Sequence, residues 1–496
     1  MNCKTKFASQ TVIFSLLISF ASSVRAPSNA EAAPTARTTA QLSERLKKAV
    51  DQSGFKAGEV GLWVGSTGAQ GLETYFSQSG EKSFLPASLS KLVTLGAVLH
   101  TLHPGYKFKT EVFYDSKTAK IDQGILSGSI YLKGGGDPSF VSENMWVLVN
   151  ELLRSGVTSI EGDVVVDDSR FDTIRFGDDR QDERVDRAYD APVGAMSMNW
   201  NSVNVYARPG GKAGEPLKVF ADVMSPYLKV KNNSKTTAAG KGKTLSVERT
   251  TEKGFSGDVI VVSGALALDQ PEAVIYKSIS QPDLWAGYNL VEFLRQRGIA
   301  VKGKVKTGVT PAHATSMGFT ESHTLATVVA DMAKWSNNYV AEMLVKNLAA
   351  ESGEKPATMA NGMKQVRAYL ESSGIKAGDY EFINAAGFTR KNRLTPMQLG
   401  KYLEFVRSDF TFFPEYLAAL PIAGVDGTLR KRMSHTAAER WVRAKTGLLN
   451  GVVGLSGFAG RPNGQVATFV FIYNGSGRED KARAFFDKLA ALIVEE

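Results

Sequence analysis

Pro86-Ala87-Ser88-Leu89-Ser90-Lys91-Leu92-Val93-Thr94-Leu95-Gly96-Ala97-Val98-Leu99 is the stretch on which the reading of this chain turns. Pro86 is a helix-start signal, and the apolar run behind Lys91 predicts a long, buried helix. Ser88 and Lys91 stand three residues apart and so share a face of that helix. A lysine whose pKa is lowered by burial and cationic neighbours can take the proton of a serine hydroxyl, which makes the pair a nucleophile and its base. The spacing alone carries little weight, because Ser53/Lys56, Ser79/Lys82, Ser352/Lys355 and Ser373/Lys376 repeat it. Those four serines are each followed by Gly, as in turns, whereas Ser88 runs into a helix that would hold it rigid and desolvate its partner.

A serine enzyme of this kind needs two companions: Ser-x-Asn to relay protons and bind a substrate amide, and Lys-Thr-Gly on an edge strand to bind a carboxylate and offer backbone N–H groups. Both have decoys. Ser142/Asn144, Ser197/Asn199 and Ser202/Asn204 match the first, and Lys306-Thr307-Gly308 matches the second. Order along the chain separates them. Ser336-Asn337-Asn338 opens a helical stretch (Val340, Met343, Leu344, Leu348), while Lys445-Thr446-Gly447 leads into two alternating strands, Val452 to Ala459 and Val466 to Tyr473. Ala482, Phe485, Phe486, Leu489, Leu492 and Ile493 then repeat at helical spacing. The other end mirrors this pattern, with helical periodicity from Thr38 to Ser53 followed by short strands at Val60 to Ser66 and Leu72 to Gln78. The termini therefore read as halves of one domain. Thr110 to Val274, a long series of short strands with Gly and Asn turns, reads as an insertion.

Composition fits a chain of several compact domains: 496 residues, 43% hydrophobic and 22% charged, which excludes disordered and collagenous classes. Lys4 and Lys6 precede an uncharged, mainly apolar stretch, Thr11 to Val24, with small-residue cleavage sites behind it. Residues 1–26 thus read as a signal peptide cut near 26–30, too short in its apolar run for a membrane span. The single cysteine, Cys3, leaves with it, so the exported chain would carry no disulfide, thiol nucleophile or Cys metal site. The formal net charge is +9, and losing Lys4, Lys6 and Arg25 leaves the chain still basic. For an exported protein the expected polyanion is a wall or membrane surface rather than nucleic acid. No cofactor or metal is expected: HExxH is absent, and His100 and His103 have no further ligand cluster. G-x-S-x-G is absent too, which removes the α/β-hydrolase arrangement.

The ordered set Ser88-x-x-Lys91, Ser336-x-Asn338 and Lys445-Thr446-Gly447 resembles the penicillin-recognising serine acyl-transferases. Leu132-Lys133-Gly134-Gly135-Gly136-Asp137-Pro138, Ala191-Pro192-Val193-Gly194-Ala195-Met196-Ser197 and Leu420-Pro421-Ile422-Ala423-Gly424-Val425-Asp426-Gly427-Thr428-Leu429-Arg430 narrow this to class C low-molecular-mass penicillin-binding proteins, peptidase family S13. The long separation of Ser88 from Ser336 is similar to that family as well. The resemblance implies an α/β multidomain protein, in which a transpeptidase-like domain with an antiparallel five-stranded sheet and helices (35–105 and 315–496) carries two inserted, mainly β domains. Domain II would take 106–202 and 268–314, and domain III 203–267.

It further implies a serine-type D-alanyl-D-alanine carboxypeptidase or D-Ala-diaminopimelate endopeptidase, periplasmic, acting on peptidoglycan peptides through an acyl-enzyme and blocked by β-lactams. Peripheral wall or membrane association and the oligomeric state stay open. Ser88 would attack and Lys91 accept its proton; Ser336, beside Lys445, would protonate the leaving amine; Asn338 would hold the substrate amide. Lys445 and Thr446 would receive the terminal carboxylate, with Gly447 completing the motif and the N–H groups of Ser88 and Leu448 forming the oxyanion hole. Asp168, or Asp167 beside it, and Arg390 would meet the diaminopimelate side chain. Two departures stand out: Asn384-Ala385-Ala386-Gly387 where the family has Asp-Gly-Ser-Gly, and Leu448 where relatives usually carry Ser or Thr. The alternatives are a β-lactamase of the same fold and a non-catalytic wall-binding module.

Overall fold

The structure, a computed structural model, describes residues 39–56, 58–68, 71–177, 186, 188 and 191–495. The expected signal peptide lies outside the described residues.

Strands from both ends of the chain build one antiparallel sheet, in the order Gly71–Gln78, Val60–Gly68, Val466–Asn474, Val452–Gly460, Val442–Leu449. Period-two alternation divides its side chains between two cores. Leu62, Val64, Phe469 and Phe471 pack under the terminal helices Thr39–Asp51 and Glu479–Val494, against Leu42, Leu46, Phe486 and Leu489. Trp63, Val470 and Ile472 face the other way, into a cluster built by the helices Ser90–Leu102, Leu325–Trp335, Asn338–Glu351, Met359–Ser372 and Pro396–Ser408. The Ser90–Leu102 helix is apolar all round, so it lies at the centre of this layer, with every residue from Ser90 to Leu99 buried. The sequence thereby puts Lys91 where water cannot reach it.

The chain leaves this domain after the central helix. A second five-stranded sheet runs Val305–Thr307, Val164–Asp167, Ile130–Lys133, Lys109–Tyr114, Thr315–Glu321, alongside the helices Ser142–Arg154 and Pro282–Gln296. Two boundaries differ from the sequence reading. Thr315–Glu321, assigned there to the transpeptidase-like domain, pairs with Lys109–Tyr114, because it continues the alternating pattern of the insertion before the Leu325 helix begins. Ala273–Ser278, assigned to domain II, pairs with Ser202–Arg208, so the strands of the distal portion extend beyond 267 to 278. The two inserted portions also share one hydrophobic cluster, in which Val203, Val205, Ala221, Tyr227 and Ile260 join Val112, Leu148 and Trp285. Short strands signal sheet membership weakly; pairing across a long insertion decides it.

Candidate active site

Ser88 sits in a single 3-10 turn, Ala87–Leu89, that feeds the central helix. Ala87 has φ +50°, a left-handed conformation that costs a non-glycine residue about 1 kcal/mol or more. Such strain persists only where the surroundings enforce it, and they do so here from two sides. Gly447 lets the edge strand close on the turn, since a Cβ there would lie 2.9 Å from the Pro86 carbonyl oxygen. Gly387, at φ +72°, lets the loop 384–392 close from the other side, where a Cβ would come within 1.9 Å of the Ala87 carbonyl oxygen. Gly387→Ala is expected to lower stability by about 2 kcal/mol or more and to slow acylation at Ser88, read by thermal melting and by the rate of penicillin labelling. A variant that labels at the wild-type rate would separate this loop from the chemistry.

Lys91 is 1% exposed, and its Nζ lies 3.2 Å from Ser88 Oγ, 2.7 Å from Asn338 Oδ1 and 2.7 Å from the Ala386 carbonyl oxygen. As an ammonium it donates to all three. As a neutral amine it keeps two N–H donors for Asn338 and Ala386, and its lone pair is left for the Ser88 hydroxyl. Burial pulls its pKa down to about 7, with Glu342 pulling in the opposite direction. Lys445 is wholly buried and donates to Ser336 Oγ at 2.8 Å and to the Thr446 carbonyl at 2.8 Å. Burial, then the charge of Lys91, holds Lys445 well below the usual lysine range. Burial, expected from the sequence along with cationic neighbours, dominates both shifts; the charge of Lys91 adds to it at Lys445, whereas at Lys91 the neighbouring charge that counts is Glu342, which opposes the depression.

The other motif residues follow from their elements. Ser336 ends the Leu325–Trp335 helix in a left-handed conformation, φ +58°, and Asn337 caps the next helix by accepting from the Val340 N–H at 3.2 Å. Thr446 Oγ1 donates to Thr428 Oγ1 at 3.0 Å. On the edge strand the Ala444 N–H bonds Pro421, away from the neighbouring strand, so by alternation the Leu448 N–H also faces the open edge. Leu448 is 57% exposed.

Sequence reasoning missed the Ala386 carbonyl as a lysine partner, since a backbone acceptor leaves no residue signature. It quoted Thr428 only as part of a longer match. The replaced loop is well tied: Asn384 Oδ1 accepts from the Ala386 and Phe388 N–H groups, Asn392 donates to Ser90 Oγ, and Thr94 donates to the Ala385 carbonyl. An amide oxygen does here the accepting work open to a carboxylate, and the contact with Lys91 is backbone.

Asp168 and Arg390 are already engaged. The Asp168 carboxylate pairs with Arg175 and accepts from the Met196 N–H at 2.5 Å, and Arg175 also pairs with Asp283 at 2.9 Å. A substrate ammonium would join an existing ion pair rather than meet a vacant carboxylate. Arg390 is exposed and donates to the Asn450 carbonyl at 2.6 Å, bridging the loop to the hairpin turn after the edge strand. The decoys have local work. Ser142 and Asn199 bond each other at 3.0 Å, and exposed Lys306 pairs with Asp163 at 2.7 Å.

The model of the D-Ala-D-Ala carboxypeptidase 3 (S13) family matches residues 42–493. The chain is 32% identical over 449 residues to a D-alanyl-D-alanine carboxypeptidase of Actinomadura sp., covering 88% of this chain and 81% of that protein. It is 26% identical over 411 residues to the D-alanyl-D-alanine carboxypeptidase DacB of Haemophilus influenzae, covering 81% and 83%. The crystal structure of penicillin binding protein 4 from Haemophilus influenzae superposes with a TM-score of 0.75 at 23% identity, covering 90% of this chain and 99% of that one.

Proposed function

The chain belongs to the D-Ala-D-Ala carboxypeptidase 3 (S13) family, and from that premise we propose that it is a serine-type D-alanyl-D-alanine carboxypeptidase, an endopeptidase of peptidoglycan, or both, with Ser88 as nucleophile. The observation that carries this reading is the buried Lys91 amine held among Ser88, Asn338 and the Ala386 carbonyl. Lys91 takes the Ser88 proton as Oγ attacks the carbonyl of the D-Ala-D-Ala bond. The N–H groups of Ser88 and Leu448 receive the developing oxyanion. Ser336, hydrogen-bonded to Lys445, passes a proton to the leaving amine, and water then releases the acyl group. A terminal carboxylate beside Lys445 favours its charged form and offsets the burial that disfavours it. The same serine would be acylated by β-lactams, and export to the periplasm fits such a substrate. Among the described residues no helix is long and apolar enough to cross a membrane. Contact of Asp168 and Arg390 with the distal side chain is part of the proposal, with the Asp168 carboxylate meeting the ammonium while Arg175 holds it in place.

Incubation of the mature protein with purified peptidoglycan tests the function. Mass spectrometry should find stem peptides shortened by one D-alanine, cross-linked dimers converted to monomers, or both; an unchanged wall overturns the reading.

Leu448 gives a second test. An apolar side chain there supplies no hydroxyl to the terminal carboxylate, and a hydrogen bond to a charged group contributes roughly 1.5–3 kcal/mol. Leu448→Ser is therefore expected to raise kcat/KM about tenfold on substrates with a free carboxylate. An equal gain on a substrate amidated at its terminus would place the new hydroxyl elsewhere.

A further inference from the structure

The distal inserted portion carries a surface that the peptidase chemistry leaves unused. Its three-stranded sheet has Ser202–Arg208 at the centre, between Lys218–Asp222 and Ala273–Ser278. One face is core: Val203, Val205, Ala207 and Ala221 are fully buried. The opposite face of such a sheet is ordinarily polar. Here it presents a row of apolar groups in register, Phe220 beside Tyr206 beside Val274, with Tyr276 on the next outward rung. Phe220 is 53% exposed and Tyr276 57%. The Tyr206 and Phe220 rings lie 6.3 Å apart, tilted by 41°. They floor a shallow cavity of about 510 Å³ that is also lined by Arg208, Lys218, Asp222 and Glu272.

The rim is as telling as the floor. Arg208 and Lys218 are direct cross-strand partners, an arrangement of like charges that costs stability. Asp222 stands at the far end of the same strand face, and Glu272 flanks the Arg208 end. None of the four has an ion pair within the described residues. A floor of rings edged by separate cationic donors and carboxylate acceptors is complementary to a saccharide, whose C–H faces stack on aromatic rings while its hydroxyls both donate and accept. A simple anion would not call for the acids. From Arg208 to Asn204 the outward face runs about 13 Å along the strand, room for a short run of sugar rings but a small patch beside the roughly 800 Å² per partner of a stable protein interface.

We propose that this face binds the glycan strand of the cell wall. The arginine and lysine meet sugar carboxylates or amides, and the rings carry the pyranose faces. The inference rests on the peptidoglycan reading of the active site and adds to it a second attachment, which raises the effective concentration of stem peptides at Ser88.

The test uses the mature chain and glycan strands from purified sacculi stripped of their stem peptides, with affinity measured by titration calorimetry. Phe220→Ala/Tyr276→Ala is expected to weaken glycan binding at least about tenfold, and Phe220→Tyr/Tyr276→Phe to keep it. Hydrolysis of a short soluble acyl-D-Ala-D-Ala peptide should be unchanged in both. Equal glycan affinity in the alanine variant and the parent, or no binding by the parent, overturns the proposal. So does a parent dimer in sedimentation velocity that the alanine variant loses, which would make the face a contact between copies. A parent that binds glycan yet leaves every D-Ala-D-Ala peptide intact would sink the peptidase reading and leave the platform standing.

Discussion

Ser88→Ala is expected to leave no covalent penicillin adduct at all, while the melting temperature stays close to that of the parent. The hydroxyl is half-buried, and its contact with Lys91, at 3.2 Å, is the longest of the three that the amine makes. Removing it keeps Lys91 bonded to Asn338 and Ala386, so the cost to stability should stay within about 0.5–1 kcal/mol. No other serine of matching spacing can substitute. Ser352 and Ser373 directly follow helices that end at Glu351 and Ser372, and their hydroxyls donate to the Ala349 and Leu370 carbonyls. Ser53 Oγ is taken by the Phe55 N–H, and Lys82, the partner of Ser79, donates to the Gly58 carbonyl at 2.8 Å. Intact-mass measurement after incubation with penicillin reads the outcome. An adduct on the variant, mapped to any of these serines, would refute the assignment of Ser88.

The contrast between Ser88 and its decoys shows what a sequence can reveal. The Gly after each decoy serine marks a helix-terminal or other turn, and the apolar run after Lys91 marks a buried helix; both are local patterns, and both match the structure. The terminal strands and helices were equally legible, because the last two strands are short apolar runs bounded by turns, buried along nearly their whole length, and the last helix repeats apolar residues at helical spacing. The limits of the insertion were not. Thr315–Glu321 and Ala273–Ser278 have alternation enough to be strands, but their partners lie far away in sequence, and no local pattern names them. The side chains of the three motifs could be named in advance as candidates, and the structure brings Lys91 to Ser88 and Asn338 and Lys445 to Ser336. The Ala386 carbonyl, the Arg175 pair of Asp168 and the unused aromatic face became visible only with packing, because each depends on the backbone path or on neighbours remote in the chain.

Lys91→Ala is expected to slow acylation by penicillin and by peptide substrates about 10²–10⁴-fold, the range that a positioned general base contributes. The pH dependence gives the stricter signature. With its pKa near 7 rather than the ordinary lysine value of 10.5, Lys91 is half neutral at about pH 7, and only the neutral amine can accept the Ser88 proton. Acylation by the parent should therefore rise as pH climbs through about 7 and level off above it, and the alanine variant should lack that rise. Stability moves with the same proton. Between about pH 7 and 10.5 the unfolded chain holds a proton on Lys91 that the folded chain releases, so the parent gains stability as pH rises across this window and is most penalised at its lower end. Removing the amine removes that dependence, and the variant should compare best with the parent near pH 7 and worst near 10.5. The unpaired Asn338 and Ala386 oxygens weaken the variant throughout, but they do not titrate and cannot imitate the slope. If the variant still acylates at near the parental rate with the rise through pH 7 preserved, Lys445 or water is the base, and Lys91 serves only to hold the Asn338 helix and the Ala386 loop against Ser88.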